Sequence, residues 1–175
     1  MSHFACAVLG DRGGWRITEL TLDDCESVDD AVDLLRDFDE PIRFLFVEQD
    51  DEYAVLLRCD SAASPGGYGA LDEEAVRVFL SNGHAADDYP MAALFADGLD
   101  EIGGDPLDDD ELAEGMSTVS HDAAPFGDPD LVEDLGMKGP ELIELALHES
   151  TLPMDLIESV CERIGCLDEF EAVRG

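Results

Sequence analysis

Positive charge is scarce: the 175 residues hold nine Lys and Arg against 44 Asp and Glu, for a formal net charge of −35. A surface of that sign repels phosphate backbones and anionic headgroups, so direct binding to DNA, RNA or an anionic membrane is not expected. Cysteine is also sparse and irregular. The five residues Cys6, Cys25, Cys59, Cys161 and Cys166 are odd in number and follow no repeat, which argues against a disulfide framework. Most lie inside apolar patterns, where a free thiol behaves as a small buried hydrophobe, and this suits a reducing cytoplasm. The longest apolar runs are strand-sized, so no membrane-spanning segment is expected. Residues 1–9 lack a basic start followed by an apolar stretch, so no secretory signal is expected.

Motifs that carry chemistry are missing as well. No Cys-x-x-Cys occurs, and Cys161 and Cys166 stand five apart, which is not the paired spacing of a zinc site. Neither half of the zinc deaminase signature is present, His-x-Glu or Pro-Cys-x-x-Cys, so the chain is not itself such a deaminase. Asp108, Asp109 and Asp110 suggest calcium, but Leu112 occupies the fifth loop position, where an oxygen ligand is required. Gly66, Gly67 and Gly69 are not followed by the Lys-Ser/Thr of a phosphate loop, and they do not form a dinucleotide fingerprint. The nucleophile elbow Gly-x-Ser-x-Gly is absent. His84 near Asp87 and Asp88 is a conceivable base with an orienting carboxylate, but the position also suits a helix start. His121-Asp122 falls where nothing rigid is expected to hold it. No catalytic, cofactor-binding or metal-binding residue is assigned.

What is present is a globular pattern: 45% of the residues are apolar, enough for a sizeable core. Residues 4–9 alternate, with Phe4, Cys6 and Val8 on one side and Ala5, Ala7 and Leu9 on the other. Two apolar faces suggest a central strand. Residues 11–14 supply a turn, and Trp15, Ile17 and Glu19 resume the period of two, which reads as a hairpin. Ser27 is a helix N-cap candidate, followed by Val28, Ala31, Val32, Leu35 and Phe38 at helical spacing. Residues 42–47 and 53–57 are β-prone runs separated by an acidic turn, and 75–80 is a fifth. Pro90 fits the first position of a helix whose stripe is Met91, Leu94, Phe95 and Leu99. Residues 1–102 therefore read β-β-α-β-β-β-α, an α+β domain with a mainly antiparallel five-stranded sheet and helices on one face.

Residues 103–128 hold eight acids and no base, together with Gly, Ser and Pro, and read as a linker. Residues 129–175 read as a small helical unit. Asp128-Pro129 opens a short segment closed by Gly136; Gly139-Pro140 starts a second, and Pro153 starts a third that ends at Gly165. Asp168 caps a last short piece. About 45 residues make a weak core alone, so the stripes around Met137, Leu142 and Leu145, and from Met154 to Ile164, must pack on the sheet domain or on a partner.

The charge is spread through the three parts: 24 acids and 6 bases over 1–102, 8 and 0 over 103–128, and 12 and 3 over 129–175. That spread favours a solvated surface over a dedicated acidic arm. A docking face for a basic partner and mimicry of nucleic acid remain as alternatives.

Several stretches resemble one family. Met1-Ser2-His3-Phe4-Ala5, the Gly13-Gly14-Trp15 turn, Phe79-Leu80-Ser81, Ala85-Ala86 and Tyr89-Pro90-Met91-Ala92 carry the first part of the resemblance. Asp134-Leu135-Gly136-Met137 and Ile164-Gly165-Cys166-Leu167 carry the second. Together they are similar to the actinobacterial tRNA adenosine deaminase-associated proteins. Asn82-Gly83-His84 and residues 61–70 depart from that family's pattern. The resemblance implies a link to a tRNA adenosine deaminase, the type of enzyme that makes inosine in anticodons, and carries over no catalytic residues. The leading expectation is a non-enzymatic, cytoplasmic accessory protein whose partner is that deaminase or another basic protein. Two alternatives stand beside it: an enzyme using carboxylates with or without a divalent metal, and an acidic nucleic-acid mimic.

Overall fold

The computed structural model describes residues 3–11, 13–59, 76–97, 99, 125–148 and 150–174. Among these residues, six antiparallel strands lie in the order β2-β1-β3-β4-β5-β6. They are β1 (His3–Asp11), β2 (Gly14–Glu19), β3 (Ile42–Gln49), β4 (Tyr53–Cys59), β5 (Val76–Leu80) and β6 (Phe126–Gly127). The helices among the described residues are α1 (Val28–Arg36), α2 (Pro90–Ala96), α3 (Gly139–Leu147), α4 (Pro153–Ile164) and α5 (Leu167–Arg174). The architecture is α+β, as the hairpin-rich pattern implies.

The alternation of β1 is realised in two separate cores. Ala5, Ala7 and Leu9 join Leu45, Val47, Val55 and Leu57 beneath α1 and α2. Cys6 and Val8 join Phe44, Phe46, Leu56 and Phe79 beneath the C-terminal helices. β1 sits between β2 and β3, with Val8 opposite both Ile17 and Phe44. Its two apolar faces thus mark an inner strand covered on both sides.

The helical unit packs on the sheet. Leu131, Val132, Met137, Leu142, Leu156, Ile157, Val160, Cys161, Ile164 and Phe170 are buried in the second core. Helices therefore cover both faces: α1 and α2 share one, as expected for the first part of the chain, and α3 to α5 cover the other. Phe170 of α5 meets Phe4 of β1 edge-to-face at 5.8 Å, and Trp15 donates its indole N–H to the Ile164 carbonyl at 3.1 Å. Arg58 reaches across the joint to the Leu131 carbonyl and the Asp134 carboxylate.

The sheet has one strand more than the sequence pattern shows, and that strand lies inside the stretch 103–128 read as linker. Two residues, Phe126 and Gly127, pair with Leu80 and Phe79. A two-residue strand has no period to detect. It depends on glycine. Gly127 has φ +100°, and a Cβ there would collide with the Val78 carbonyl. The Asp128 N–H donates to that same carbonyl at 2.8 Å. Residues 103–124 lie outside the described residues.

Local signals define most helix ends. The Ser27 hydroxyl accepts the Asp30 N–H at 3.2 Å at the start of α1. Pro90 and Pro153 open α2 and α4. Asp155 and Glu141 reach back to the N–H groups of Leu152 and Lys138. Gly165, with φ +93°, closes α4. The segment opened by Asp128-Pro129 is shorter than a helix: it makes turns and a 3-10 piece over Glu133–Leu135 before Gly136. No helix among the described residues is long and apolar enough to cross a membrane.

Candidate functional site

An open groove of about 1080 Å³ lies on the α1/α2 side of the sheet. One wall is the stretch from Leu22 to Asp29, which leads from β2 into α1; the other is α2, from Pro90 to its C-cap Asp97. Leu22 and Phe95 are buried at its base, while Val28, Met91 and Leu94 are half-buried along its sides. Asp23, Glu26, Asp29 and Asp97 are exposed at its lips. His3 and Gln49, opposite each other on β1 and β3, close one end. No Lys or Arg is among its lining residues that are described.

Beside the groove, Asp30 in the first turn of α1 is committed to structure. Asp30 accepts the Glu26 N–H at 3.0 Å and the Ser27 hydroxyl at 3.1 Å. These bonds, the Glu26 N–H first, hold its carboxyl below the usual range. Asp30 is thus a stably ionised helix cap rather than a proton donor. Cys25 is half-buried in the groove wall; partial burial, then the charges of Asp30 and Asp24, raise its thiol pKa. The groove offers an apolar floor and a negative rim. That suits contact with a complementary surface, with charge setting orientation and encounter rate.

The catalytic candidates weighed in the sequence fare differently. His84 is exposed in the 3-10 piece Gly83–Asp87, and its backbone N–H donates to the Asn82 side chain at 3.1 Å. Asn82 is therefore a cap. Gly83 is needed because a Cβ there would run into the Phe126 ring. The departure Asn82-Gly83-His84 thus has a packing role. Asp108 to Asp110, His121-Asp122 and the glycines at 66, 67 and 69 lie outside the described residues. Among the described residues, no group of three or more His, Cys, Asp and Glu is placed to hold a metal ion.

Sequence spacing did not reveal one cluster. Cys6 of β1, Cys161 of α4 and Cys166 at the α4–α5 corner come together between sheet and helices. All three are buried and free. Burial pushes the Cys6 thiol up to about 12, and contact with Cys166 together with burial raises Cys161. Cys6 and Cys161 are thus held neutral, as packing groups. Some 150 residues of chain separate Cys6 from the other two, so no local pattern could show the cluster.

A smaller hollow of about 420 Å³ lies between α3 and α4, beside Leu145, His148 and Glu144. Arg163 bridges it by donating to the Gly136 carbonyl and to Glu141.

No curated protein matches the chain, and no solved structure does. A family model described as Rv3753c-like tRNA adenosine deaminase-associated protein matches residues 3–167.

Proposed function

The chain belongs to the Rv3753c-like tRNA adenosine deaminase-associated family, and from that premise we propose that it is a non-enzymatic accessory protein that binds a tRNA adenosine deaminase directly. The observation that carries this reading is the family match across 165 of the 175 residues, on a chain of net charge −35. An enzyme that grips tRNA presents basic surface to the phosphates. An acidic, folded protein meets such a surface with favourable long-range attraction and steers to it at low salt. The folded core supports the same reading: the buried polar groups Arg43 and Arg58 tie helices to strands, and the acids at the groove are caps or exposed rim.

Its site of action is the cytoplasm, where the five thiols stay reduced.

Purified together, the chain and the deaminase of the same organism are expected to co-elute at moderate salt and to separate as salt rises. Deamination of tRNA is expected to change when the chain is added. No complex at moderate salt, with rates unchanged on addition, overturns the proposal. Turnover by the chain alone, with or without Mg²⁺, Mn²⁺, Ca²⁺ or Zn²⁺, would replace it with the carboxylate-enzyme reading.

A further inference from the structure

We infer that the groove between the β2–α1 connection and α2 receives a basic amphipathic helix of the deaminase, an inference that rests on the function proposed above. Four observations lead to it. The groove is open and, at about 1080 Å³, lies at the upper end of the range of small-molecule pockets, with room for a protein segment. Its base and sides present Leu22, Val28, Met91, Leu94 and Phe95, an apolar strip bounded by polar lips, which is the form of a helix-in-groove contact. Acids stand on both lips, Asp23, Glu26 and Asp29 on one and Asp97 on the other, with no Lys or Arg among the described lining residues. A helix with an apolar stripe flanked by Lys and Arg satisfies strip and lips together.

The fourth observation separates the possible occupants by sign. The chain's own residues 103–128 hold eight acids and no base, so they meet the rim with repulsion. A second copy brings another −35 charges. An anionic membrane is repelled likewise. A basic protein segment is the occupant that the rim attracts. The opposite sheet face is already covered by α3 to α5.

Cys25 makes the groove self-reporting. It lines the wall, and it is the one cysteine of the five that is not buried. A seated helix should shield it.

The experiment compares three full-length chains: wild type, a lip variant with Asp23→Arg and Asp97→Arg, and a control with Glu162→Arg and Glu171→Arg on exposed positions of α4 and α5. The two variants shift the net charge equally, each replacing two acids with two arginines, and melting curves check that each chain is folded. Binding to the deaminase is expected to weaken about tenfold or more in the lip variant and to stay within about twofold in the control. Alkylation of Cys25 should slow when the deaminase is bound to wild type. If the deaminase binds wild type and lip variant alike and leaves Cys25 open, the groove inference is wrong while the accessory reading stands. If the deaminase binds neither, the accessory reading is wrong. A lysine–leucine amphipathic peptide of about four helical turns then tests the groove on its own. Saturable binding that shields Cys25 and is weakened by the lip changes supports it; indifference to those changes overturns it.

Discussion

Arg58 and Asp134 form a two-pronged ion pair across the joint between sheet and helical layer, with Nη1–Oδ1 at 2.6 Å and Nη2–Oδ2 at 2.9 Å. The Arg58 side chain is 3% exposed and that of Asp134 57% exposed, so one charge is inside and the other meets solvent. The Arg58 guanidinium also lies over the Phe44 ring at 5.3 Å and donates to the Leu131 carbonyl. The hydrogen bonds from Arg58, ahead of its charge, hold the Asp134 carboxyl below its ordinary value.

The sign of the resulting pH dependence follows from that lowered value. A carboxyl with a depressed folded pKa stabilises the fold fully above its unfolded pKa of about 4, and the contribution fades as pH falls through the folded value. Asp134→Asn is expected to cost about 1 to 2 kcal/mol at pH 7, a figure reduced because the carboxylate is more than half exposed. Urea unfolding of both chains at pH 7 and in acid checks it: the gap between them should narrow in acid. A gap that is constant with pH would refute the ionic origin.

The second core is shared between the sheet and the C-terminal helices, so the two should unfold together. Trp15, the single tryptophan, is joined to α4 through the Ile164 carbonyl and reports on that joint. Its fluorescence and the far-UV dichroism are expected to give coincident urea transitions. Phe170→Ala, which empties a fully buried site against Phe4, should lower stability by about 3 to 5 kcal/mol and keep the transitions coincident. Separate transitions would show a helical unit with a stability of its own.

Gly127→Ala is expected to cost about 2 kcal/mol or more. The new Cβ meets the Val78 carbonyl, and φ +100° is strained for any L side chain. Hydrogen exchange should show the loss at the Asp128 N–H first, because β6 is only two residues long. An unchanged melting temperature and unchanged protection would contradict this.

Thiol chemistry should sort the cysteines by burial. One thiol in five, Cys25, is expected to react in the native protein, more slowly than free cysteine near neutral pH because its pKa is raised. Cys6, Cys59, Cys161 and Cys166 should react only on unfolding. Mass spectrometry of a brief native alkylation identifies the site; a fast second thiol would break the assignment.

Much of the fold could be read from local residues. Ser27, Pro90, Pro153 and Gly165 act where their chemistry says they should, because caps and helix starts are decided within one turn. The two-sided apolar pattern of β1 foretold its inner position. What stayed hidden depends on distant partners: Arg58 meets Asp134 across 76 residues, and Phe126-Gly127 becomes a strand only because β5 is beside it. The groove was hidden for a subtler reason. Met91, Leu94, Phe95 and Leu99 read as one stripe, yet Phe95 is buried and Met91 and Leu94 are half-buried along the groove. A seven-residue helix with so wide an apolar arc covers the core with one part and leaves the rest to the groove.

Arg43 and Arg58 stand on neighbouring strands and point to opposite sides. Arg43 donates to the Leu35 and Phe38 carbonyls near the end of α1, and Arg58 to the Leu131 carbonyl in the other layer. Inner strands that are apolar on both sides have little in their hydrophobicity to forbid a one-residue slip. The two arginines supply what is missing. A slip of β3 or β4 would carry a guanidinium away from its carbonyls and into hydrocarbon. They work as alignment pegs, and a single-residue deletion in either strand should be tolerated far less well than any conservative exchange of the leucines and phenylalanines around them.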